Sequence, residues 1–375
     1  MDYQLTDEQK MVLRSVEKLL ETDYDFQSRY HRLQENRRFH PPIWQQFADL
    51  GLLALPLKTQ YGGFSASVQD LAVVMAPMGQ ALVTEPFLYT SVGAWLFSHV
   101  ANAQLQSEFC PPIAQGRCRV VVAIDPVGAL HLMPSHQPLI AKKSRSGQWM
   151  LTGSCHMVYG ADMATHVIVQ AHSGRKTRWF LVPMKSLKRQ VFTLIDDTGV
   201  ARLQLEDVLC DKHMELSIDH SMVTCLTATM IGLLSAEAVG IMHLLNKKTK
   251  AYLQQREQFG QPLSQFQLLK HRLVEMYVQE ELARSMSMTL TQTLSDMDAL
   301  DMPSLQMLTH MTKMKLNDYA QYVGEQSVQL HGGMGVSDEM DVAHLFRRLT
   351  CIRHQMGDQA YHLARLTEIA KQGPQ

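Results

Sequence analysis

The spacing of apolar residues changes twice along this chain, and that change limits the possible folds more than any other feature. In about the first hundred residues, apolar side chains such as Val12, Val16 and Leu20 recur at the spacing of an amphipathic helix. From 119 to 205, short β-rich runs alternate with Gly, Pro, Ser and Asp. After residue 215 the helical spacing returns and persists to about 370. The sequence therefore predicts an α+β protein with the order helices, strands, helices.

The N-terminal region, residues 1–117, is predicted to be a helical domain. Thr6 followed by Gln9 forms a capping box, with Asp7 and Glu8 suited to the positive start of a helix. A second helix passes through Trp44 and ends near Gly51, and further helical segments are expected at 68–82 and 89–105.

The middle and C-terminal regions have different predicted architectures. Five β-rich runs within 118–212, separated by turn residues, favour an antiparallel β-barrel or sandwich. Residues 213–375 carry long helical segments at 215–258, 262–293, 303–330 and 338–370, separated by breaks that contain Gly or Pro. Long helices with short connections predict a C-terminal four-helix bundle.

Composition excludes several classes of function. The net charge of −1 gives no indication of nucleic-acid binding. We see no apolar run approaching the ~20 residues of a membrane span and no signal peptide, so we expect a cytoplasmic protein without a membrane partner. The six cysteines form no CxxC pair and are expected to be reduced. The 17 histidines are scattered, so no metal site is predicted.

Three stretches carry specific motifs. The N-terminal stretch reads Trp44-x-x-Phe47-x-x-Leu50-Gly51-Leu52, then Pro56 and Tyr61-Gly62-Gly63-Phe64. The second reads Tyr252-x-x-x-Arg256-x-Gln258-Phe259-Gly260-x-Pro262-Leu263-x-x-Phe266-Gln267. The third reads Gln329-x-x-Gly332-Gly333-x-Gly335 and is followed by Arg347. Together, and over essentially the whole chain, these motifs resemble the acyl-CoA dehydrogenase family, whose helical–β–helical layout matches the predicted order.

The resemblance implies FAD as the cofactor and identifies residues for it. An arginine guanidinium suits the FAD pyrophosphate because it is a planar, permanently charged fork of donors. In the family's dimer these residues reach the FAD of the neighbouring subunit, not that of their own. The positions of this chain that match the family's contacts to the adenosine and pyrophosphate half are Arg256, Phe259, Gln267, Gln329 and Gly333.

The family's catalytic base is missing from this sequence. Dehydrogenation needs a carboxylate with a raised pKa beside the α-carbon of the acyl thioester. Ungapped counting from Gln329 places Met356 at the family's glutamate position, followed by the retained Gly357. Some relatives carry the glutamate on an earlier helix, where this chain has Met230 beside Ile231. A thioether cannot act as a base, so neither position supplies one.

The residues that would hold this chain's own flavin ring are altered too. The family's flavin-contacting segment after the first strand corresponds to Ile124–Leu130, in which only Pro126 and Gly128 match. The family's Trp-Ile-Thr segment, whose threonine approaches the flavin, corresponds to Met157-Val158-Tyr159. Tyr159 could donate a hydrogen bond there, or its ring could fill the flavin pocket. Groups offered to a partner's FAD are kept, whereas groups that serve the chain's own flavin are changed.

Three hypotheses follow from this pattern. In the first, the chain is the support subunit of a heteromeric acyl-CoA dehydrogenase of fatty acid or steroid side-chain degradation. The segment Gly357-Asp358-x-x-x-His362-Leu363-Ala364-Arg365 resembles the small subunit of pimeloyl-CoA-type enzymes. The expected partners are an acyl-CoA substrate, a second subunit that carries the glutamate, and an electron-transfer flavoprotein.

In the second hypothesis the chain is itself an active homo-oligomeric dehydrogenase with a displaced base, Asp358 or Glu237. Each also has a structural interpretation: Asp358 as a helix N-cap and Glu237 as a paired or solvated helix residue. His331, inside the glycine turn, is likewise interpreted as structural. In the third hypothesis the chain is an acyl-CoA-binding relative that carries out no dehydrogenation.

Overall fold

A computed structural model describes residues 5–124, 138–144 and 147–372. The chain divides into two compact units. The helical unit comprises Met1–His31, Val68–Val83 and Thr227–Gln375, and the sheet unit comprises Arg32–Ser67 and Thr84–Leu226. Helices near the N-terminus thus share a unit with the C-terminal helices. The division of the chain into domains 1–117, 118–212 and 213–375 stays a prediction.

The elements follow the predicted order of helices, strands and helices. The first helices are α1 (Asp7–Asp23), α2 (Phe26–Gln34), α3 (Pro41–Asp49), α4 (Val68–Gln80), α5 (Phe87–Val100) and α6 (Ala103–Ala114). The strands are β1 (Val120–Ala123), β2 (Ile140–Lys143), β3 (Trp149–Tyr159), β4 (His166–Ser173), β5 (Lys176–Pro183), β6 (Lys188–Thr193), β7 (Gly199–Cys210) and β8 (Glu215–Leu216). Then come α7 (His220–Gln255), the short strands β9 (Glu257–Gln258) and β10 (Gln261–Pro262), α8 (Gln267–Thr293), α9 (Met302–His331), α10 (Asp341–His354) and α11 (Gln359–Gln372).

Local sequence explains where several helices begin. The Thr6 side chain accepts a hydrogen bond from the Gln9 N–H, and the Gln9 side chain accepts one from the Thr6 N–H. This reciprocal capping box confirms the predicted start of α1. Asn102 and Asp301 are the N-caps of α6 and α9. Each side chain accepts a hydrogen bond from a backbone N–H of the first turn, without the return bond that completes a capping box.

The sheet is mixed and is not a closed barrel, which corrects the prediction of an antiparallel barrel or sandwich. Its order is β6-β7-β3-β2-β4-β5-β8, and β1 pairs with β4 outside that path. Both β1 and β2 run parallel to β4, with Val120 opposite His166 and Ile140 opposite His172. An antiparallel barrel or sandwich requires paired strands to run in opposite directions, whereas β1 and β2 follow one another along the same edge of β4, β1 opposite His166–Val169 and β2 opposite His172. Sequence spacing reveals where strands occur but not which strands pair.

The last predicted helix, 338–370, is two helices separated by a turn. α10 ends at His354 and α11 begins at Gln359. Between them Met356 has φ 61° and Gly357 has φ 105°, which a right-handed helix cannot accommodate. The break therefore lies where the family resemblance predicts the catalytic glutamate position.

Helix α7 forms the apolar centre of the helical unit. An 18-residue window within it has a mean hydropathy of 1.7, which by length and composition alone would suffice to cross a membrane. However, 89 % of that window is buried inside the protein. The apolar residues of α7 thus serve the core, where Ile231, Leu234 and Ile241 are fully buried.

Candidate functional site

The second motif, which begins at Tyr252, forms a tight hairpin at the end of α7. The Arg256 N–H still donates to the Tyr252 carbonyl, 2.8 Å away, and the chain then leaves the helix. Strands β9 and β10 pair with Gln258 opposite Gln261, so Phe259 and Gly260 form the loop. Both loop residues have positive φ, 55° and 77°, which is the pattern of a type I′ turn.

Phe259 occupies this turn with its ring almost fully in solvent. A left-handed conformation costs a non-glycine residue about 1–3 kcal/mol, and the ring is 91 % exposed. The Phe266 ring meets it edge-on with centroids 6.2 Å apart, which limits the positions it can take. The hairpin therefore presents an exposed aromatic ring on this surface, and within the described residues only the edge contact with Phe266 is recorded for that ring.

Two further groups of the second motif are available to an anion. The Arg256 side chain is exposed, and among the described residues it forms neither a hydrogen bond nor an ion pair. Gln267, also exposed, opens α8, which has no side-chain cap and no acidic residue in its first turn. The first backbone N–H groups of a helix carry partial positive charge and bind phosphate readily. The motif thus combines a free guanidinium with an uncapped helix N-terminus.

The third motif, which begins at Gln329, ends α9 in a glycine turn. Gln329 is exposed, two residues before α9 ends at His331, and Gly332 has φ 61°. A Cβ added to Gly333 would meet no atom within 4 Å, whereas one added to Gly335 would lie 2.6 Å from the Val328 carbonyl oxygen. Gly335 is therefore required by the turn itself, while Gly333 leaves backbone open to a ligand.

His331 joins the two motifs. Its ring is buried and stacks on Tyr252, with centroids 4.5 Å apart and an interplanar angle of 29°. The Nδ1–H donates to the Ser327 carbonyl at 2.8 Å, and burial lowers the pKa of the imidazole. A neutral, buried ring with one nitrogen engaged fits a structural role. Because Tyr252 precedes Arg256 by one helical turn and His331 follows Gln329, the stack holds both motifs at one end of the helical unit.

Met356, which the family resemblance predicts at the glutamate position, lies in a buried, well-anchored turn. The Met356 side chain is buried, and its carbonyl lies 3.0 Å from His362 Nε2. Since a carbonyl only accepts, Nε2 carries the proton, and Nδ1 of the neutral ring accepts from His310 Nδ1–H at 2.8 Å. Burial lowers the pKa of His362 to about 3 and that of His310 to about 4.

A buried lysine fixes the other side of this turn. Lys313 on α9 is 0 % exposed and donates to Asn317 Oδ1 at 2.6 Å. It also donates to the carbonyls of Ile352 and Arg353, at 2.9 and 3.1 Å, which are among the last of α10. Burial lowers the pKa of Lys313 to about 7. A donor placed on the free carbonyls of a helix end stabilises that end, so α10 stops at a defined point before Met356.

Neither alternative base is positioned as a free carboxylate. Arg348 Nε donates to Glu237 Oε1 at 2.6 Å and its Nη2 donates to Oε2 at 2.7 Å, with both residues buried. This bidentate pair engages both oxygens of Glu237. Asp358 is exposed, and its Oδ1 accepts from the Tyr361 N–H at 2.8 Å, which caps α11. Both residues have the structural contacts that the sequence suggested for them.

The flavin-side segments of the sheet unit are only partly described. Ile124 is described, but the matching residues Pro126 and Gly128 lie outside the described residues. Met157 has φ 51° within an irregularity in the pairing of β3 with β7, and Tyr159 at the end of β3 stacks on Tyr89. Within 5–124, 138–144 and 147–372, no group of three or more His, Cys, Asp or Glu is placed to hold a metal ion.

Family models match both ends of the chain. The model described as "Acyl-CoA dehydrogenase, N-terminal domain" matches residues 6–117, and "Acyl-CoA dehydrogenase, C-terminal domain" matches 228–370. Among curated proteins, the acyl-CoA dehydrogenase IpdE2 of Mycobacterium tuberculosis is 25 % identical over 319 residues, covering 84 % of this chain and 82 % of IpdE2.

Two solved structures share the fold over nearly their whole length. The ChsE4-ChsE5 complex of Mycobacterium tuberculosis matches with a TM-score of 0.87 at 20 % identity, covering 100 % of both chains. PigA with FAD and proline matches with a TM-score of 0.84 at 18 % identity, covering 99 % of both chains. At these identities the structures establish the fold, which agrees with the helical, sheet and helical order described above.

Proposed function

Because the chain belongs to the acyl-CoA dehydrogenase family of FAD-dependent oxidoreductases, we propose that it is the support subunit of a heteromeric member. In this assembly its helical unit completes the FAD site of a partner subunit, and the partner supplies the glutamate base. The reaction is the α,β-dehydrogenation of an acyl-CoA thioester, with an electron-transfer flavoprotein as the expected acceptor. A cytoplasmic location remains part of the prediction.

One contrast within the helical unit carries this proposal. The groups that match contacts to a neighbouring subunit's FAD are exposed, as Arg256 and Phe259 illustrate, and the Arg256 side chain has no recorded ion pair or hydrogen bond among the described residues. The position that matches the base holds Met356, buried in an anchored turn. A chain that performed the reaction alone would need a base at position 356 at least as much as it needs the FAD contacts.

The exposed surface fits the adenosine and pyrophosphate half of FAD. Arg256 would pair with pyrophosphate oxygens, and the N-terminus of α8 at Gln267 would add backbone donors. The Phe259 ring offers a flat apolar face to adenine. Gln329 can donate and accept, and Gly333 leaves room for close approach. When bound, FAD accepts the hydride from the β-carbon of the substrate.

The base position does not fit catalysis by this chain. A thioether at 356 cannot take the α-proton, and the two oxygens of Glu237 are already held by Arg348. Asp358 is solvated and caps α11, which is an unfavourable setting for a general base that needs desolvation. These contacts weigh against an active homo-oligomer. An acyl-CoA-binding protein without dehydrogenation is the remaining alternative.

Among the similar proteins, ChsE4 and ChsE5 form a complex of two different chains, which is the type of assembly proposed here. IpdE2 is an acyl-CoA dehydrogenase. The heteromeric arrangement is therefore compatible with this fold, and the acyl group is left open.

Reconstitution with a partner tests the proposal. The chain is co-purified with a family subunit that carries the glutamate, and dehydrogenation of acyl-CoA substrates is measured with a dye acceptor. Arg256→Ala should weaken FAD binding by the complex about 10- to 100-fold, since it removes charge-assisted hydrogen bonds.

Arg365→Ala is the matched control, because Arg365 is half exposed and pairs only locally with Glu368 on α11. It should leave FAD binding unchanged. Equal FAD affinity in the Arg256→Ala and wild-type complexes would overturn the proposal.

A further inference from the structure

Two tyrosines stack at the end of β3 in the sheet unit. The rings of Tyr89 and Tyr159 have centroids 5.4 Å apart and an interplanar angle of 24°. Tyr89 lies on α5, whose residues from Phe87 to Ser98 are buried, and it is itself 8 % exposed. Tyr159 is thus placed against a rigid, buried helix, and its ring is covered on one face by a second aromatic ring.

The backbone around Tyr159 allows that ring little freedom. The pairing of β3 with β7 is irregular between Cys155 and Val158, and Met157 adopts a left-handed φ of 51°. Regular pairing then resumes, with Tyr159 opposite Val200.

Directly after Tyr159, Gly160 has φ 71°, and an added Cβ would lie 3.1 Å from the Cβ atoms of Pro86 and Tyr89. Its N–H donates to the Gly199 carbonyl at 3.0 Å. The strand end is therefore held between β7 and α5, and Tyr159 cannot move away from Tyr89 without shifting backbone on both sides.

From this arrangement we infer that the Tyr89–Tyr159 stack excludes the isoalloxazine ring of a flavin from this chain's own side of β3. The inference rests on the proposed function, because the correspondence of Tyr159 with the family's small flavin-contacting threonine comes from the family resemblance. A phenol ring occupies the space beyond that small side chain, and it already has an aromatic partner. Because protein interiors are close-packed, the Tyr159 ring and an isoalloxazine ring cannot occupy the same space.

The residues at the end of β3 thus do not fit a flavin ring bound by this chain, whereas the exposed residues of the helical unit fit the adenosine half of a partner's FAD. The stack gives a positive reason why the chain would lack its own flavin, separate from the missing base at Met356. It also predicts which side chain must change before a flavin ring can enter.

Flavin titration of the isolated chain tests this inference. FAD and lumiflavin, which is the ring system without the ribityl and nucleotide parts, are titrated against the purified chain and followed by flavin fluorescence. The wild-type chain should bind both weakly. Tyr159→Thr, which removes the ring, and Tyr89→Leu, which removes its partner, should each bind lumiflavin about tenfold more tightly or better.

Tyr159→Phe is the matched control because it keeps the stacked ring and loses only the hydroxyl; it should behave like the wild type. Circular dichroism establishes folding of each variant, and Tyr89→Leu decides the matter if Tyr159→Thr does not fold. Unchanged lumiflavin affinity in a folded ring-removing variant would overturn the inference, as would tight flavin binding by the wild-type chain alone.

The outcome is separable from that of the proposed function. Reconstitution with a glutamate-bearing partner depends on Arg256 and Phe259 of the helical unit, whereas the titration depends on Tyr89 and Tyr159 of the sheet unit. If Tyr159→Thr gains lumiflavin binding but the chain never restores a partner's activity, the inference holds and the proposed function is wrong. If the chain restores a partner's activity but Tyr159→Thr gains no lumiflavin binding, only the inference is wrong.

Discussion

His331 stacks on Tyr252 with ring centroids 4.5 Å apart, and this contact connects the two motifs that make up the candidate FAD surface. The two residues are 79 positions apart in the chain (331 − 252), on α9 and α7. The hydrogen bond from His331 Nδ1 to the Ser327 carbonyl fixes the ring plane. Arg256 and Gln329 are therefore displayed from helix ends that are packed against each other.

Removing this stack should lower both the stability of the chain and the FAD binding of the reconstituted complex. His331→Ala should lower the free energy of unfolding by about 2 kcal/mol, since it leaves a buried void and loses a hydrogen bond. It should also reduce the FAD content of the reconstituted complex. His331→Phe keeps a flat ring against Tyr252 and should retain most of the FAD content. Denaturant unfolding and flavin absorbance measure the two effects, and an unchanged FAD content in His331→Ala would exclude the connecting role.

Substitution by alanine should affect the stability of the chain at Gly335 but not at Gly333, although both glycines lie in the turn after α9. Gly335→Ala places a Cβ 2.6 Å from the Val328 carbonyl, so we expect a loss of about 1–3 kcal/mol of stability. Gly333→Ala meets no atom within 4 Å and should unfold like the wild type. If Gly333 lies against a partner's FAD, Gly333→Ala should nevertheless lower the FAD affinity of the complex. Stability loss in Gly333→Ala would contradict the open environment described here.

Glu237 is predicted to contribute to stability and not to proton abstraction. Glu237→Gln leaves the buried Arg348 without its counter-charge and should cost about 3–5 kcal/mol in thermal or denaturant unfolding. Glu281→Gln, which removes an exposed carboxylate paired with Arg284, is the control and should cost well under 1 kcal/mol. A Glu237→Gln chain of normal stability whose complex has lost turnover would instead indicate a catalytic role.

Stability should fall in mild acid because of the paired histidines beneath Met356. Burial lowers the pKa of His362 to about 3 and that of His310 to about 4, both below the ordinary 6.5. As pH falls below 6.5 the unfolded chain takes up protons first, so the free energy of unfolding decreases, by roughly 2–4 kcal/mol down to pH 5.

The pKa of Lys313, lowered to about 7, acts in a different window, because it adds stability as pH rises from 7 toward 10.5. Denaturant titrations across pH 4–7 measure the acid effect. His310→Gln should flatten the dependence, whereas His271→Gln, on the exposed part of α8, should not. Equal slopes for the wild type and His310→Gln would contradict the assignment.

The helices and the candidate surface were predictable because their signals are local. The Thr6–Gln9 box and the apolar spacing of Val16 and Leu20 specify α1 without reference to the rest of the chain. The cofactor motifs are short and include glycines with required conformations, such as Gly260 and Gly335. The family resemblance, carried by those motifs, is confirmed by the matching family models.

What the sequence did not reveal depends on contacts between distant segments. Nothing in the run Val120–Ala123 indicates that it lies parallel to β4. Helical spacing continues through 355–358 and predicts one helix over 338–370, although Gly357 and the interpretation of Asp358 as an N-cap are local signals for the break at Met356. Lys313 looks like any helical lysine until the fold places the α10 carbonyls beside it. The stack of Tyr89 on Tyr159 likewise joins residues that no motif relates.

The FAD content of the purified chain, alone and with a glutamate-bearing family partner, tests the central claim most directly. Flavin absorbance near 450 nm, divided by protein concentration, gives FAD per chain for each preparation. If the chain completes a partner's FAD site, the isolated protein should hold far less than one FAD per chain, and flavin and dehydrogenation should both appear when the partner is present. One FAD per isolated chain, together with full turnover of an acyl-CoA, would contradict it.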